Sequence, residues 1–272
     1  MRRVRRILLY SALTLGAVFA LGPLLWMVSA SFMPTGQATN LPPSLVPHPA
    51  TFEQYRLLFS RLAMSRYFLN SVLIASLVTG LSLLVNAMAG YAFAKLRFRG
   101  REGLFSMMLG LLVIPAQVTL LPLFLMLKEM GLVNTYLGVI IPGLASVFGI
   151  FLIRQYALSI PDELLDAARV DGASEWRIFR SIVLPVLVPI LVTLGIFTFM
   201  ATWNDFLWPL IVLSDDRHYT LPVALASLSG EHVQDVELMM AGAVVTVVPV
   251  MVLFLFLQRY YLQGILMGSV KG

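Results

Sequence analysis

Apolar positions along the chain gather into six runs: Ile7 to Val28, Phe68 to Ala94, Leu104 to Leu127, Leu137 to Ile153, Ile182 to Trp203 and Leu238 to Leu257. Each is long enough to cross a bilayer as a helix, which takes about 20 residues. Helices are required because hydrocarbon offers no partner to an exposed backbone group. The pattern therefore predicts an all-α, polytopic membrane protein with six transmembrane helices. The first run invites another reading, since "MRRVRR" before it and "VSAS" after it resemble a cleaved export signal. Its apolar stretch exceeds the roughly 7 to 15 residues of a signal core, which favours a retained span.

Between the fourth and fifth runs the pattern changes. "PDELLDAARVDGASEWRIFRSIVLP", Pro161 to Pro185, carries Asp162, Glu163, Asp166, Arg169, Asp171, Glu175, Arg177 and Arg180. Ser159 and Asp162 read as a capping-box-like start, with Pro161 tolerated in the first turn. Asp162 and Glu163 sit where the helix dipole favours anions. Leu164, Leu165, Ala168 and Val170 form a narrow apolar face, and Ala167 and Ala168 are small enough to admit close approach. Gly172 suits a helix C-terminus that needs positive φ, and Ser174 can cap a second short helix bearing Trp176, Phe179 and Ile182. The product is a helix, a glycine turn and a helix, too charged to cross a membrane. A hairpin lying on lipid headgroups would favour Lys and Arg on its polar face. Five carboxylates against three arginines argue instead for a protein surface.

Composition fits this picture. Hydrophobic residues make up 59% of the 272 and charged ones 12%, against roughly 25% charged in ordinary soluble domains. The net charge of +5 reflects basic residues flanking the apolar runs, an orientation signal rather than a nucleic-acid surface. With the N-terminus in the cytoplasm, 14 of the 19 Lys and Arg fall on the cytoplasmic side, including Arg2 to Arg6, Lys95 to Arg101, Arg154, Arg169 to Arg180, Arg259 and Lys271. That bias predicts both termini, and the charged hairpin, in the cytoplasm. There is no cysteine, and His48, His218 and His232 are scattered, so neither thiolate chemistry nor a metal site is expected. Outside, Ser31 to Tyr67 is Pro-rich and reads as an extended, semi-rigid loop. The loop "SDDRHYTLPVALASLSGEHVQD" is apolar enough at its centre to pack against something. No internal repeat divides the chain, so residues 1–272 read as one transmembrane domain.

The order Asp166-Ala167-Ala168-x-x-Asp171-Gly172-Ala173, then Phe179, Ile182, Leu184-Pro185 and Pro189, resembles the EAA loop of binding-protein-dependent ABC importer permeases. The chain departs at the first position, where Asp166 replaces Glu and shortens the reach of that contact. Further stretches resemble the carbohydrate-uptake branch, the maltose-type second permease subunit: "FLNSVLIA", "AGYAFAKLRFRGRE", "IPAQVTLLPLF", "GLVNTYLGVIIP", "WNDFLWPLIVL" and "LQRYYLQGILMGSVKG". The resemblance implies a multi-pass subunit of the cell (inner) membrane that forms half of a pore for a sugar or oligosaccharide. It implies a second homologous permease subunit, two cytoplasmic ATPase subunits and an extracytoplasmic solute-binding protein as partners. The loop, about residues 157–185, would be the coupling helix, with Asp166, Ala167, Ala168, Asp171, Gly172, Ala173, Trp176, Phe179 and Pro185 at the ATPase contact. The tail from Gly264 would approach the ATPases as well. ATP and Mg would belong to the partner ATPase, because this chain has no G-x-x-x-x-G-K-[ST] phosphate cradle. No catalytic residue or bound cofactor is expected of the chain itself.

Four polar residues lie in or beside the apolar runs. Asp205, in "TWNDFLWPL", reads as an interfacial carboxylate beside Trp203 and Trp208, with a pore-gating role as the alternative, and it and Asn204 are candidates for the substrate path. Asn86 and Gln117 read as interhelical hydrogen-bonding groups, with a place on the sugar path as the sharper alternative. Glycerol phosphate or a polyol would be carried by the same mechanism. A proton-coupled secondary transporter would need buried carboxylate or histidine relays, and beyond Asp205 the runs offer none.

Overall fold

The computed structural model describes residues 2–42, 44–231 and 235–269, and every regular element among them is helical. The α-helices are α1 (Arg2–Ala30), α2 (Glu53–Ser60), α3 (Met64–Lys95), α4 (Arg101–Gly110), α5 (Ala116–Glu129), α6 (Tyr136–Ile140) and α7 (Val147–Ala157). There follow α8 (Asp162–Val170), α9 (Glu175–Ile178), α10 (Leu184–Trp203), α11 (Leu207–Val212), α12 (Leu221–Glu231) and α13 (Val236–Ser269). Five helical segments are individually long and apolar enough to cross a membrane, and a bent pair makes a sixth if counted as one span.

That pair corrects the expected third run, which is not one continuous helix. α4 passes through a 3-10 turn, Leu111–Val113, and meets α5 at an angle of 107°. The cause is local. Pro115 has no amide hydrogen, and the residue before a proline is pushed out of the helical region. Ile114 accordingly has ψ 119°, and Pro115 becomes the N-cap of α5.

The described residues divide into two compact units. In the first, the chain up to Phe68 packs with Leu221–Val252. Here the Pro-rich stretch is less extended than its sequence suggests, because it contains α2 and is tied down by buried polar groups. Gln54 donates to the Thr35 hydroxyl at 3.0 Å, and Glu237, fully buried, accepts the Ala38 N–H at 2.6 Å. The loop expected after the fifth run holds the helix α12, which buries Leu221, Val223, Ala224 and Leu228. Its His232 lies outside the described residues, as do the side chains of residues 259–272, with Arg259, Lys271 and the tail.

The second unit, Leu69–Thr220 with the C-terminal end of α13, carries the charged hairpin. Its larger apolar cluster joins Ala87, Tyr91 and Ala94 of α3 to Ile153 and Ala157 of α7, Leu165 of α8, Ile178 and Phe179, and Leu187, Ile190 and Leu194 of α10. α3 and α7 approach closely because position 90 is glycine; a Cβ there would sit 2.6 Å from the Ile153 side chain. At 32 residues and 1.5 Å per residue, α3 is about 48 Å long. That exceeds a hydrocarbon core of about 30 Å. The helix is therefore longer than one crossing needs, and its last turns, with Tyr91 and Lys95, meet the hairpin.

Candidate functional site

The hairpin begins where α7 ends. Carbonyls just past the end of α7 are met by Lys95 from α3. Its Nζ donates to the Ile160 carbonyl at 2.6 Å, to the Leu158 carbonyl at 3.5 Å and to Asp162 Oδ1 at 2.7 Å. The Lys95 side chain is 5% exposed while Asp162 is 75% exposed, so the cation is buried against its acceptors and the carboxylate reaches in from solvent. The ammonium beside it holds the Asp162 carboxyl below the ordinary carboxylate range.

The expected start is corrected in one respect. Ser159 does not cap α8; its hydroxyl donates back to the Tyr156 carbonyl at 2.7 Å. Pro161 occupies the N-cap position, with Asp162 and Glu163 in the first turn. The absent proline N–H costs nothing there, because no intrahelical acceptor would have met it.

α8 buries Leu165 to 1% exposure and turns Leu164, Ala167 and Val170 outward, with Val170 88% exposed. These three positions recur every third residue and share one face. The turn is a Schellman motif: Gly172 N–H donates to the Arg169 carbonyl at 3.0 Å and Ala173 N–H to the Ala168 carbonyl at 2.9 Å. It requires the left-handed conformation, and Gly172 has φ +81°. The Ser174 hydroxyl then accepts the Arg177 N–H at 3.3 Å, as its spacing predicts for an N-cap.

The second helix does not end as a separate short piece. α9 passes through a π turn, Phe179–Val183, straight into α10, giving one apolar helical segment from Glu175 to Trp203. In that turn Leu184 N–H reaches five residues back to the Phe179 carbonyl. The wider turn falls just before Pro185, where a proline ring would otherwise collide with the carbonyl four residues earlier.

A polar network crosses the hairpin. Arg169 donates from Nη1 to Asp166 Oδ1 at 2.6 Å and from Nε to Glu175 Oε1 at 2.7 Å, so one guanidinium spans both helices. Glu175 Oε2 accepts the Tyr91 hydroxyl of α3 at 2.7 Å. The Tyr91 ring lies 5.6 Å from that of Phe179, which lies 5.6 Å from that of Trp176. A hollow of about 830 Å³ beside the network is lined by Lys95, Arg97, Arg101, Asp162, Asp166, Arg169 and Glu175 among others. Exposed ion pairs contribute only about 0 to 1 kcal/mol each. Burying Leu165 and Phe179 contributes about 1.5–3 kcal/mol apiece. Apolar packing thus holds the hairpin to the unit, and the polar network sets its orientation.

The motif residues divide into two sets. Asp166, Ala167, Asp171, Gly172 and Trp176 face outward; Ala168 and Ala173 are half-buried against the core, Phe179 is buried, and exposed Pro185 marks the entry to α10. Sequence reasoning missed Tyr91, Lys95 and Glu175, although Tyr91 and Lys95 stand four apart at the end of α3, the spacing that aligns two side chains on one helix face.

The four polar residues near the spans lie in separate places. Asn86 is fully buried, donates to the Ser82 hydroxyl at 2.8 Å and accepts the Ser146 N–H at 3.0 Å, closing the start of α7 against α3. Asn204 donates to the Met200 carbonyl at 2.7 Å, and Asp205 accepts the Trp208 N–H at 3.3 Å at the start of α11. Gln117 is exposed in the first turn of α5.

Several long apolar helices with an outward-facing charged hairpin between two of them fit a transport subunit, and comparison with known proteins agrees. Residues 86–266 match the family described as binding-protein-dependent transport system inner membrane component, and the chain belongs to that family. It is 39% identical to the arabinooligosaccharides transport system permease protein AraQ of Halalkalibacterium halodurans, over 100% of both chains. It is 36% identical to the lactose transport system permease protein LacG of Rhizobium radiobacter, over 99% of this chain and 98% of that one. A crystal structure of a bacterial ABC transporter involved in import of the acidic polysaccharide alginate contains a chain that superposes with a TM-score of 0.84, covering 95% of this chain and 97% of that one at 24% identity. The last comparison establishes a shared fold. The chain is therefore a membrane-embedded transport subunit rather than an enzyme, and ATP hydrolysis resides in separate subunits.

Proposed function

We propose that this chain forms half of the pore of an ATP-driven importer for a short oligosaccharide, and that the 159–185 hairpin is its attachment to a cytoplasmic ATPase. Both termini lie in the cytoplasm, with the bent α4–α5 pair counted as one of six spans. A second permease completes the pore, an extracytoplasmic binding protein delivers the sugar, and two ATPase subunits hold ATP and Mg. The observation that carries the reading is the outward apolar face of Leu164, Ala167 and Val170 on α8, with Trp176 of α9 57% exposed, on a hairpin whose turn is closed by Gly172 and by the Ser174 cap. A solvated loop has no reason to expose such a face, whereas a helix seated in a partner's groove does.

ATP binding draws the ATPases together, the hairpins follow as rigid bodies, and the spans beyond them change the side to which the pore opens. The shift occurs because ATP binds the closed arrangement better than the open one. Of the polar candidates, Asp205, Asn204 and Gln117 remain those assigned to the substrate path; the amide of Asn86 is already committed to α7. The relatives named for arabino-oligosaccharides and lactose support a sugar as cargo. Deleting the gene and measuring uptake of labelled arabino-oligosaccharides, lactose and glycerol phosphate tests this. Loss of uptake of one of the sugars, restored by the intact gene, is expected. Unchanged uptake of both sugars with loss of glycerol phosphate uptake would contradict it.

A further inference from the structure

We infer that α3 is a third attachment of the hairpin, and that Tyr91, Lys95 and Glu175 are positioning residues that make the hairpin's movement felt by α3. The hairpin is covalently joined to α7 and α10 alone. Yet α3 grips it at two points, Tyr91 holding Glu175 84 residues later and Lys95 holding Asp162 67 residues later. Lys95 holds the entry through the Leu158 and Ile160 carbonyls and Asp162. Tyr91, one helical turn earlier on the same face, holds the start of the second helix through Glu175. Arg169 closes the loop between these grips by joining Glu175 to Asp166 across the turn.

The arrangement has a mechanical consequence. Leu165 and Phe179 pin the base of the hairpin in the same apolar cluster as Tyr91. Apolar packing is non-directional and by itself permits α8 to tilt about that base. The neighbouring hollow of about 830 Å³ offers no packing to resist the tilt, and Lys95, Asp162, Asp166, Arg169 and Glu175 of the network are among its walls. Orientation is left to hydrogen bonds, which are directional. Glu175 is the node, with each of its oxygens engaged by a different helix. A force on α8 is thereby delivered to α3 as well as to α10.

This inference rests on the reading of the hairpin as the ATPase attachment, and the test separates the two. The chain has no cysteine, so nitroxide labels can be placed at Glu163→Cys, exposed on α8 and outside the docking face, and Arg99→Cys in the otherwise intact subunit, assembled with its partners in nanodiscs. The distance distribution between them is then measured. Tyr91→Phe keeps the ring and its packing while removing the hydroxyl, so it folds if the parent does. Tyr91→Phe and Glu175→Gln are each expected to raise the population of displaced hairpins about fivefold, read as broadening. Lys95→Met is expected to broaden the distribution more. The second readout is sugar imported per ATP hydrolysed, which should fall in the same order. Distributions as narrow as the parent's in all three variants would overturn the inference. Broadened distributions with an unchanged transport ratio would overturn instead the assignment of the hairpin to the ATPase.

Discussion

Replacing Gly172 isolates the turn from everything around it. A Cβ built at this position meets nothing within 4 Å, so the cost of a side chain is confined to the backbone. With φ at +81°, an L-residue pays about 1–2 kcal/mol, and a β-branched one more, because its branches crowd the same carbonyl. If the chain relaxes to negative φ instead, the Gly172 and Ala173 N–H groups lose the Arg169 and Ala168 carbonyls, and the angle between α8 and α9 changes. A penalty of about 2 kcal/mol corresponds to about a 30-fold shift between the native and relaxed turns. The expected order of damage is Asn, then Ala, then Val, since asparagine tolerates the left-handed region best. Reconstituted importer should show sugar uptake falling in that order while the amount of subunit in the membrane stays constant, Gly172 lying outside every span. Full uptake by Gly172→Val, or equal loss in Gly172→Asn and Gly172→Val, would refute the reasoning.

Two further outcomes follow from local geometry. Gly90→Leu forces a side chain against Ile153 and the Arg154 amide, at 2.6 Å and 3.1 Å from the first added carbon; overpacking of this kind costs about 1–3 kcal/mol and should lower the Tm of detergent-solubilised protein. Lys95 depresses the Asp162 carboxyl, so that pair's contribution is present above the ordinary aspartate pKa of about 3.9 and is lost as pH falls through the lower folded value. Protease sensitivity of the hairpin should therefore rise below about pH 4 in the parent and be high throughout in Lys95→Met, whereas identical profiles would remove the pair from the account.

Much of the hairpin could be read from local signals. Gly172 announced the left-handed turn and Ser174 the next helix start, because each acts on atoms within a few residues. Local signals also misled. Ser159 satisfies the pattern of a cap, yet its hydroxyl donates back to the Tyr156 carbonyl in the last turn of α7, and Pro161 takes the N-cap position of α8. The bend at Ile114 was hidden inside a long apolar run: hydropathy counts side chains and is blind to a missing amide hydrogen at Pro115. Similarly, the continuous passage from α9 into α10 depends on a π turn that no periodicity in the run reveals. The spacing of Tyr91 and Lys95 aligns them on one face of α3, but the pairing of Tyr91 with Glu175 was beyond reach. Neither is unusual for its own helix, and only the folding of α3 against the hairpin makes them partners.

The central claim is that the outward face of α8 is seated in a nucleotide-hydrolysing neighbour, and a photo-cross-linking residue in place of Ala167 tests it most directly. In intact membranes the account predicts a covalent adduct with the ATPase subunit whose yield changes when ATP is added. An adduct with lipid alone, or capture by the extracytoplasmic binding protein, would contradict it.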